Sequence, residues 1–406
     1  MYTWKVMDRC IEFDTFIDQH PLSSATQLSA WGEVKSEWES LYPVVVDESG
    51  AIVAAGLLLK RTVIAGFTLG YMPRGPILDF DNEEVCNVFF TNLKKLAKRE
   101  KMISIKIDPN IYQVYEIHQR EEAQSYRNDA FVEKLAKYGF KHHGYTMDMY
   151  DTTQARFQVT FPLSENNFER FPKKTRDKIK QATNYHIEIE EKHSESVDAF
   201  YEIISYTERR KGIILRNASY FKKILDAFKE DSVLLFAYLN VGLLKQDLLD
   251  RMQELEHKLA TLDEKAVNKR EVAEKQLAKA RREYEQIAEE SESRIPVSAL
   301  LLAADGKTTE LLYSGLNEKY RRFLAPYALR NAGIEWSYRH GKEYFNFGGV
   351  QGSLEDGLFE FKSSFHPDIR AFVGEFDMPV YTLLSFALDK AIHIKKRIQL
   401  AMAKKG

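Results

Sequence analysis

Lys362 lies in the run Gly357-Leu-Phe-Glu-Phe-Lys-Ser-Ser-Phe365, an ammonium set among Phe359, Phe361 and Phe365. Just upstream, Phe345-Asn-Phe-Gly-Gly-Val350 ends an apolar run in two glycines, which let a ligand approach the backbone closely. A lysine beside such a loop can steady a developing negative charge. The same residues equally suit a strand end with three core-facing phenylalanines. Arg74 poses a similar choice. In Tyr71-Met-Pro-Arg-Gly-Pro-Ile77 two prolines stiffen the backbone around one guanidinium, either as a structural turn or to present Arg74 to an anion. Two basic stretches complete the set. Arg170, Lys173, Lys174, Arg176, Lys178 and Lys180 are expected on one helix, and residues 265–282 hold seven bases and two acids. Each is either a solvated face or a place where a polyanion is held.

Other chemistries find no support. There is no phosphate-cradling glycine loop, no His-Glu-x-x-His helix and no Gly-x-Ser-x-Gly elbow. His142 and His143 are adjacent, poor spacing for a shared metal, and read as a polar loop. Cys10 and Cys86 are the only cysteines, too few for a disulfide framework or a thiolate cluster. The 58 basic residues nearly balance 60 acidic ones, which rules out a uniformly basic nucleic-acid coat but not a local patch. At 44% hydrophobic residues the chain can bury sizeable cores. The charged start and the lack of any 18-residue apolar run predict a cytoplasmic protein.

The elements that must position these residues form a repeat. Tyr42–Asp47, Ala51–Lys60 and Phe67–Met72 read as three short antiparallel strands. Ser232–Leu239, Pro296–Ala303 and Thr309–Ser314 repeat the pattern. Helical patterns flank both trios, at residues 13–19, 29–38 and 83–98, then 196–211, 219–229 and 326–340. Strands at 102–108 and 344–347 follow at equivalent places. Between the first two strands of the second trio, residues 242–294 lack proline and, after Gly242, glycine. Leu248, Leu255 and Leu262 recur every seven residues with Met252 and Leu259 between, and Ala273, Leu277, Ala280, Tyr284 and Ile287 form a second stripe. That spacing predicts an antiparallel helical hairpin. The expected fold is therefore α+β, with two copies of one domain (residues 1–154, then 155–241 with 296–380). The arm at 242–295 projects from the second copy, and an amphipathic helix at 381–406 carries Lys395, Lys396 and Arg397.

Taken together, Gln27-Leu-Ser-Ala-Trp-Gly-Glu-Val-Lys35, Tyr71-Met-Pro-Arg-Gly-Pro-Ile-Leu78, Lys174-Thr-Arg176, Leu215-Arg-Asn217, Phe347-Gly-Gly349 and Phe361-Lys362 resemble the FemABX family of peptidoglycan-bridge aminoacyltransferases, nearest its MurM-type branch. The resemblance implies two GNAT-like domains around a cleft. It also implies transfer of an amino acid (serine, alanine or glycine) from aminoacyl-tRNA to the third stem-peptide residue, usually lysine, of lipid II or its nucleotide precursor. On the matching positions, Lys35 and Trp38 bind the precursor, Arg216 its diphosphate, and Tyr220 and Tyr313 support it. Lys362, beside Phe361, acts in catalysis, and Asp108 is the aspartate considered as a base, though before Pro109 it is as readily structural. Lys269, Arg270, Lys279 and Arg281 on the arm would contact tRNA, by analogy with hairpins of some aminoacyl-tRNA synthetases.

The donor ester is already activated, so the transfer is expected to need no cofactor, neither ATP nor a metal. The terminal helix is expected to rest on anionic lipid. Two other readings compete. One is a non-catalytic tRNA- or partner-binding protein acting through its arm, which leaves Gly348, Gly349 and Lys362 unexplained. The other is an acyl-CoA N-acetyltransferase, for which no Arg/Gln-x-x-Gly-x-Gly/Ala pyrophosphate turn is found.

Overall fold

The computed structural model describes residues 1–212, 215–263, 265–388 and 390. Two mixed sheets organise them. In the first, the strands run in the order Ile77–Leu78, Ile52–Ala55, Glu39–Val46, Leu58–Ile64, Phe67–Met72, Met102–Ile107, Phe376–Pro379 and Lys141–His142, with Thr3–Met7 paired to Glu39–Val46. In the second the order is Ile187–Lys192, Ser232–Asn240, Arg294–Ala304, Thr308–Leu316, Tyr344–Val350, Phe157–Pro162, Asp368–Phe372 and Tyr112–Tyr115. Each sheet contains one parallel pair, Phe67–Met72 with Met102–Ile107 and Thr308–Leu316 with Tyr344–Val350. A helix bridges each pair, Glu83–Arg99 in the first and Ala325–Arg339 in the second, as a parallel connection requires. The repeat is thus present in the topology.

The expected division at residue 154 does not follow the sheets. Tyr112–Tyr115, from the first half, forms the edge of the second sheet against Asp368–Phe372. Phe376–Pro379, expected in the second domain, pairs with both Met102–Ile107 and Lys141–His142 of the first. Each half covers a sheet edge of the other, which satisfies ladder groups that would otherwise stay open. An apolar cluster also crosses between the halves: Phe13, Ile17, Trp31 and Val34 pack with Phe200, Phe221, Phe228 and Leu301.

Several local differences have plain causes. The strand expected over 51–60 is two strands, Ile52–Ala55 and Leu58–Ile64. The break falls at Gly56-Leu57, where the Gln27 amide takes the Leu57 N–H at 2.8 Å. The helix expected over 29–38 stops at Val34, because Glu39 already begins a strand. Arg170 lies outside the basic helix: it ends a separate turn, Asn167–Arg170, and Pro172 starts the helix Lys173–Asn184. His142 belongs to a short strand rather than a loop, its ring bonded to the Val373 carbonyl at 2.9 Å, and His143 pairs with Asp377.

The arm consists of Val241–Thr261 and Val267–Ile287. Leu248 and Leu255 on one helix and Ala273, Leu277, Ala280 and Ile287 on the other are buried along the seam the heptads predict. Lys395, Lys396 and Arg397 lie outside the described residues. Among the described residues no helix is long and apolar enough to cross a membrane.

Candidate functional site

Lys35 follows the last residue of the helix Ser29–Val34, at the junction of the two halves. Its ammonium lies 4.9 Å from the Trp31 ring centre and 5.0 Å from that of Tyr220, and donates to the Tyr220 hydroxyl at 2.8 Å. Tyr220 comes from the helix Ala218–Phe228, which Asn217 caps by accepting the Tyr220 N–H at 3.0 Å. The residue before that cap is Arg216, exposed, its guanidinium 5.0 Å from the same Tyr220 ring. Tyr313, from the strand Thr308–Leu316, stands edge-on to Tyr220 at 6.5 Å and bonds to Arg216. Four of the sequence-predicted residues therefore converge. Burial, and then the like charge of Arg216, push the Lys35 ammonium down to about 8, with Glu37 opposing. Two cations held this close beside a helix N-terminus favour an anion between them. Trp38, half-buried under the Arg61 guanidinium at 5.3 Å, packs on the same apolar cluster as Trp31, Tyr220 and Tyr313. It stands one turn beyond Lys35, its N–H bonded to the Lys35 carbonyl at 2.7 Å, although the regular helix ends at Val34.

Lys362 lies on the short helix Gly357–Ser363, capped by Asp356. Its side chain is buried, and its ammonium donates to the Gly349 carbonyl at 2.8 Å. Both glycines are required. Gly348 has φ +83, and a Cβ on Gly349 would lie 2.4 Å from that of Ala155. Phe361 packs edge-on against Tyr327 at 5.1 Å. Both rings line a cavity of about 620 Å³, together with Ser314, Lys178, Arg210, Arg321 and Arg330 among others. Arg330 is buried, donates to the Ser314 hydroxyl at 3.1 Å, and is pushed down to about 10 by that burial. Its position midway along Ala325–Arg339 gives no sequence signal, since one arginine in a helix reads as a surface charge.

Asp108 and Arg74 lock one turn. Asp108 is buried, accepts the Tyr71 hydroxyl at 2.8 Å on one oxygen and the Arg74 N–H at 2.5 Å on the other. Burial pushes its carboxyl up to about 6, against the Arg74 charge. Arg74 has φ +55 and turns its guanidinium over the Phe372 ring at 3.8 Å and onto the Ala155 carbonyl at 3.0 Å. The Gln27 amide fixes the Pro73 carbonyl at 2.7 Å. The turn thus joins the two halves through Arg74.

On the arm, Lys269 is exposed, whereas Arg270 donates to the carbonyls of Leu259 and Leu262 at 3.2 and 3.1 Å, closing the hairpin. Lys279 and Arg281 pair with Glu283 and Glu256. Among the described residues no cluster of three or more histidine, cysteine or acidic side chains could hold a metal ion.

Two repeated α+β halves with Lys35 and Arg216 brought together where they meet define the class. The chain belongs to the FemAB family, whose model matches residues 10–393. A lipid II:glycine glycyltransferase of Staphylococcus aureus is 27% identical, the match covering 97% of this chain and 98% of that one. The crystal structure of FemX superimposes with a TM-score of 0.73 at 27% identity, over 94% of this chain and 98% of the other.

Proposed function

We propose that the protein transfers an amino acid from aminoacyl-tRNA to the side-chain amine of the third stem-peptide residue of lipid II, building the interpeptide bridge. The observation that carries this reading is the convergence of Lys35 and Arg216 on Tyr220, two cations at the domain junction that would suit a diphosphate. The staphylococcal relative acts on lipid II, which has such a diphosphate. The donor's 3′ end would enter the cavity beside Phe361, where Lys178 and Arg330, with Arg210 and Arg321 shared with Glu318, suit phosphates.

In the reaction the neutral amine attacks the ester carbonyl. A C–N bond forms, the carbonyl oxygen becomes an oxyanion, and collapse releases the ribose oxygen. Lys362, anchored on Gly349, supplies fixed positive charge for that oxyanion. The amine must first lose a proton, since its ordinary pKa is about 10.4.

Incubating the protein with lipid II and a panel of charged tRNAs, then weighing the product, tests the proposal. One amino-acid mass added to lipid II is the expected result. No adduct with any charged tRNA, or an adduct formed from acyl-CoA instead, would overturn it.

A further inference from the structure

The strand Thr308–Leu316 carries a carboxylate into the domain junction. Against Arg294–Ala304 its register slips once: Leu301 faces Tyr313 while Leu302 faces Leu311, leaving Leu312 as an extra residue. The bulge breaks the usual alternation. Leu311 packs into the second domain's own core, whereas Leu312 and Tyr313 both join the apolar cluster shared between the halves. Glu310, two residues before Leu312, lines with it a cavity of about 100 Å³ whose walls include Trp31, Arg74, Asn346 and Arg370. Trp31 is the ring over which the Lys35 ammonium sits, so this cavity adjoins the acceptor cluster.

Glu310 is also tied to the Lys362 anchor. It lies opposite Asn346 in the parallel register and accepts a hydrogen bond from that side chain. Asn346 in turn accepts the Gly348 N–H at 2.8 Å and donates to Gln158 at 2.7 Å. Two peptides along, the Gly349 carbonyl holds Lys362.

We propose that Glu310 is the proton acceptor of the transfer, receiving the substrate amine in this cavity in its neutral form, its ammonium proton already released to water, and taking the second proton that must leave as nitrogen attacks. The inference rests on the function proposed above. In balance, the N–H proton passes to the Glu310 carboxylate as the C–N bond forms. When the C–O bond breaks, the same proton goes to the departing ribose oxygen, and the carboxylate is restored.

The surroundings suit this task. Burial and then the charge of Asp305 push the Glu310 carboxyl up to about 7, while Arg370, Asn346 and Arg74 pull it down and the Tyr112 phenol also faces it. A base poised near the working pH is the efficient kind. Burial of the kind that lowers Lys35 also lowers a substrate ammonium, which eases release of its first proton to water. Asp108 has no such freedom, with both oxygens engaged by Tyr71 and Arg74.

The test compares wild type, Glu310→Gln and Glu310→Asp by kcat and KM for lipid II between pH 5.5 and 9, with far-UV circular dichroism confirming the fold. Wild-type kcat/KM should rise with pH along a limb near 7. Glu310→Gln should lose kcat on the order of a hundredfold or more, keep KM, and lack the limb. Glu310→Asp should recover part of the rate and the limb. A Glu310→Gln enzyme as fast as wild type, or a slow one that keeps the same limb, would overturn the assignment while leaving the transferase reading intact. A wild-type protein that makes no product from any charged tRNA would overturn both.

Discussion

Replacing Lys362 by Met keeps the length of the side chain and removes its charge. In the native state the ammonium is buried and gives up a hydrogen bond to the Gly349 carbonyl at 2.8 Å. Losing that bond costs about 1.5–3 kcal/mol, offset in part because no charge need then be desolvated. The fold should therefore lose no more than about 2 kcal/mol. The chemical step should suffer more, since one preorganised oxyanion donor is worth about 3–4 kcal/mol, or two to three orders of magnitude in rate. The acceptor cluster of Lys35, Arg216, Tyr220 and Tyr313 lies on other elements, so KM for lipid II should change little. Single-turnover transfer from pre-charged tRNA to lipid II measures the step directly, and urea denaturation measures the fold. A Lys362→Met protein that transfers within tenfold of wild type refutes the reasoning. So does one whose loss lies entirely in lipid II affinity.

Because Lys35 loses its charge as pH rises through about 8, KM for lipid II should climb between pH 7 and 9, and Lys35→Arg should flatten the climb; a flat wild-type profile contradicts this. Asp108→Ala strands the buried Tyr71 hydroxyl and the Arg74 N–H, at about 1–3 kcal/mol each, so its urea midpoint should fall well below that of Asp108→Asn; equal midpoints would refute the locking role. The Glu310 carboxyl is raised from 4.5 to about 7, so its ionisation opposes folding and wild-type stability is lost as pH rises across that window. Glu310→Gln should match wild type at pH 4 and exceed it by up to about 3 kcal/mol at pH 8, and a gap that does not depend on pH would count against the burial. On the arm, Lys269→Glu with Lys279→Glu should raise KM for aminoacyl-tRNA severalfold and weaken its salt dependence, while Arg270→Glu should fray the hairpin end by circular dichroism. Unchanged tRNA kinetics in the double variant would remove the arm from donor binding.

How much of this was legible in the sequence depends on whether the signal was periodic or positional. The arm was largely legible, because Leu248 and Leu255 seven apart and Ala273 and Leu277 four apart mark a seam that needs no tertiary context, although Leu262, the next heptad position, falls just past the end of the first helix. Gly348, Gly349 and Lys362 stood out because glycines and a lone ammonium among aromatics contradict their surroundings. Glu310 and Arg330 did not stand out. One glutamate in Thr309-Glu-Leu-Leu-Tyr-Ser314 reads as the solvent side of an ordinary strand, and only the packing of Ser23, Ala25 and Trp31 from the other half over that face encloses it, while the extra residue at Leu312 adds Tyr313 to the shared cluster. No single-residue property encodes a register slip. The exchanged strands Tyr112–Tyr115 and Phe376–Pro379 were hidden for a related reason: each is short, and each finds its partners far along the chain, where local pattern has no reach.

Those hidden features are what make the site possible. Lys35 belongs to the first half, and Arg216, Glu310 and Lys362 to the second, so the proposed transfer would need both sides of the junction held in register. A misplacement of about 1 Å can cost on the order of a hundredfold in rate. The exchanged strands and the shared core of Phe13, Trp31, Phe221 and Leu301 resist such drift through backbone ladders and apolar packing rather than through surface charge. Arg74 adds a third tie, its backbone held by Asp108 in the first half and its guanidinium bonded to Ala155 in the second. Under the proposed reaction the cations and the carboxylate are left for substrate, and the work of alignment falls on residues that carry no chemistry of their own.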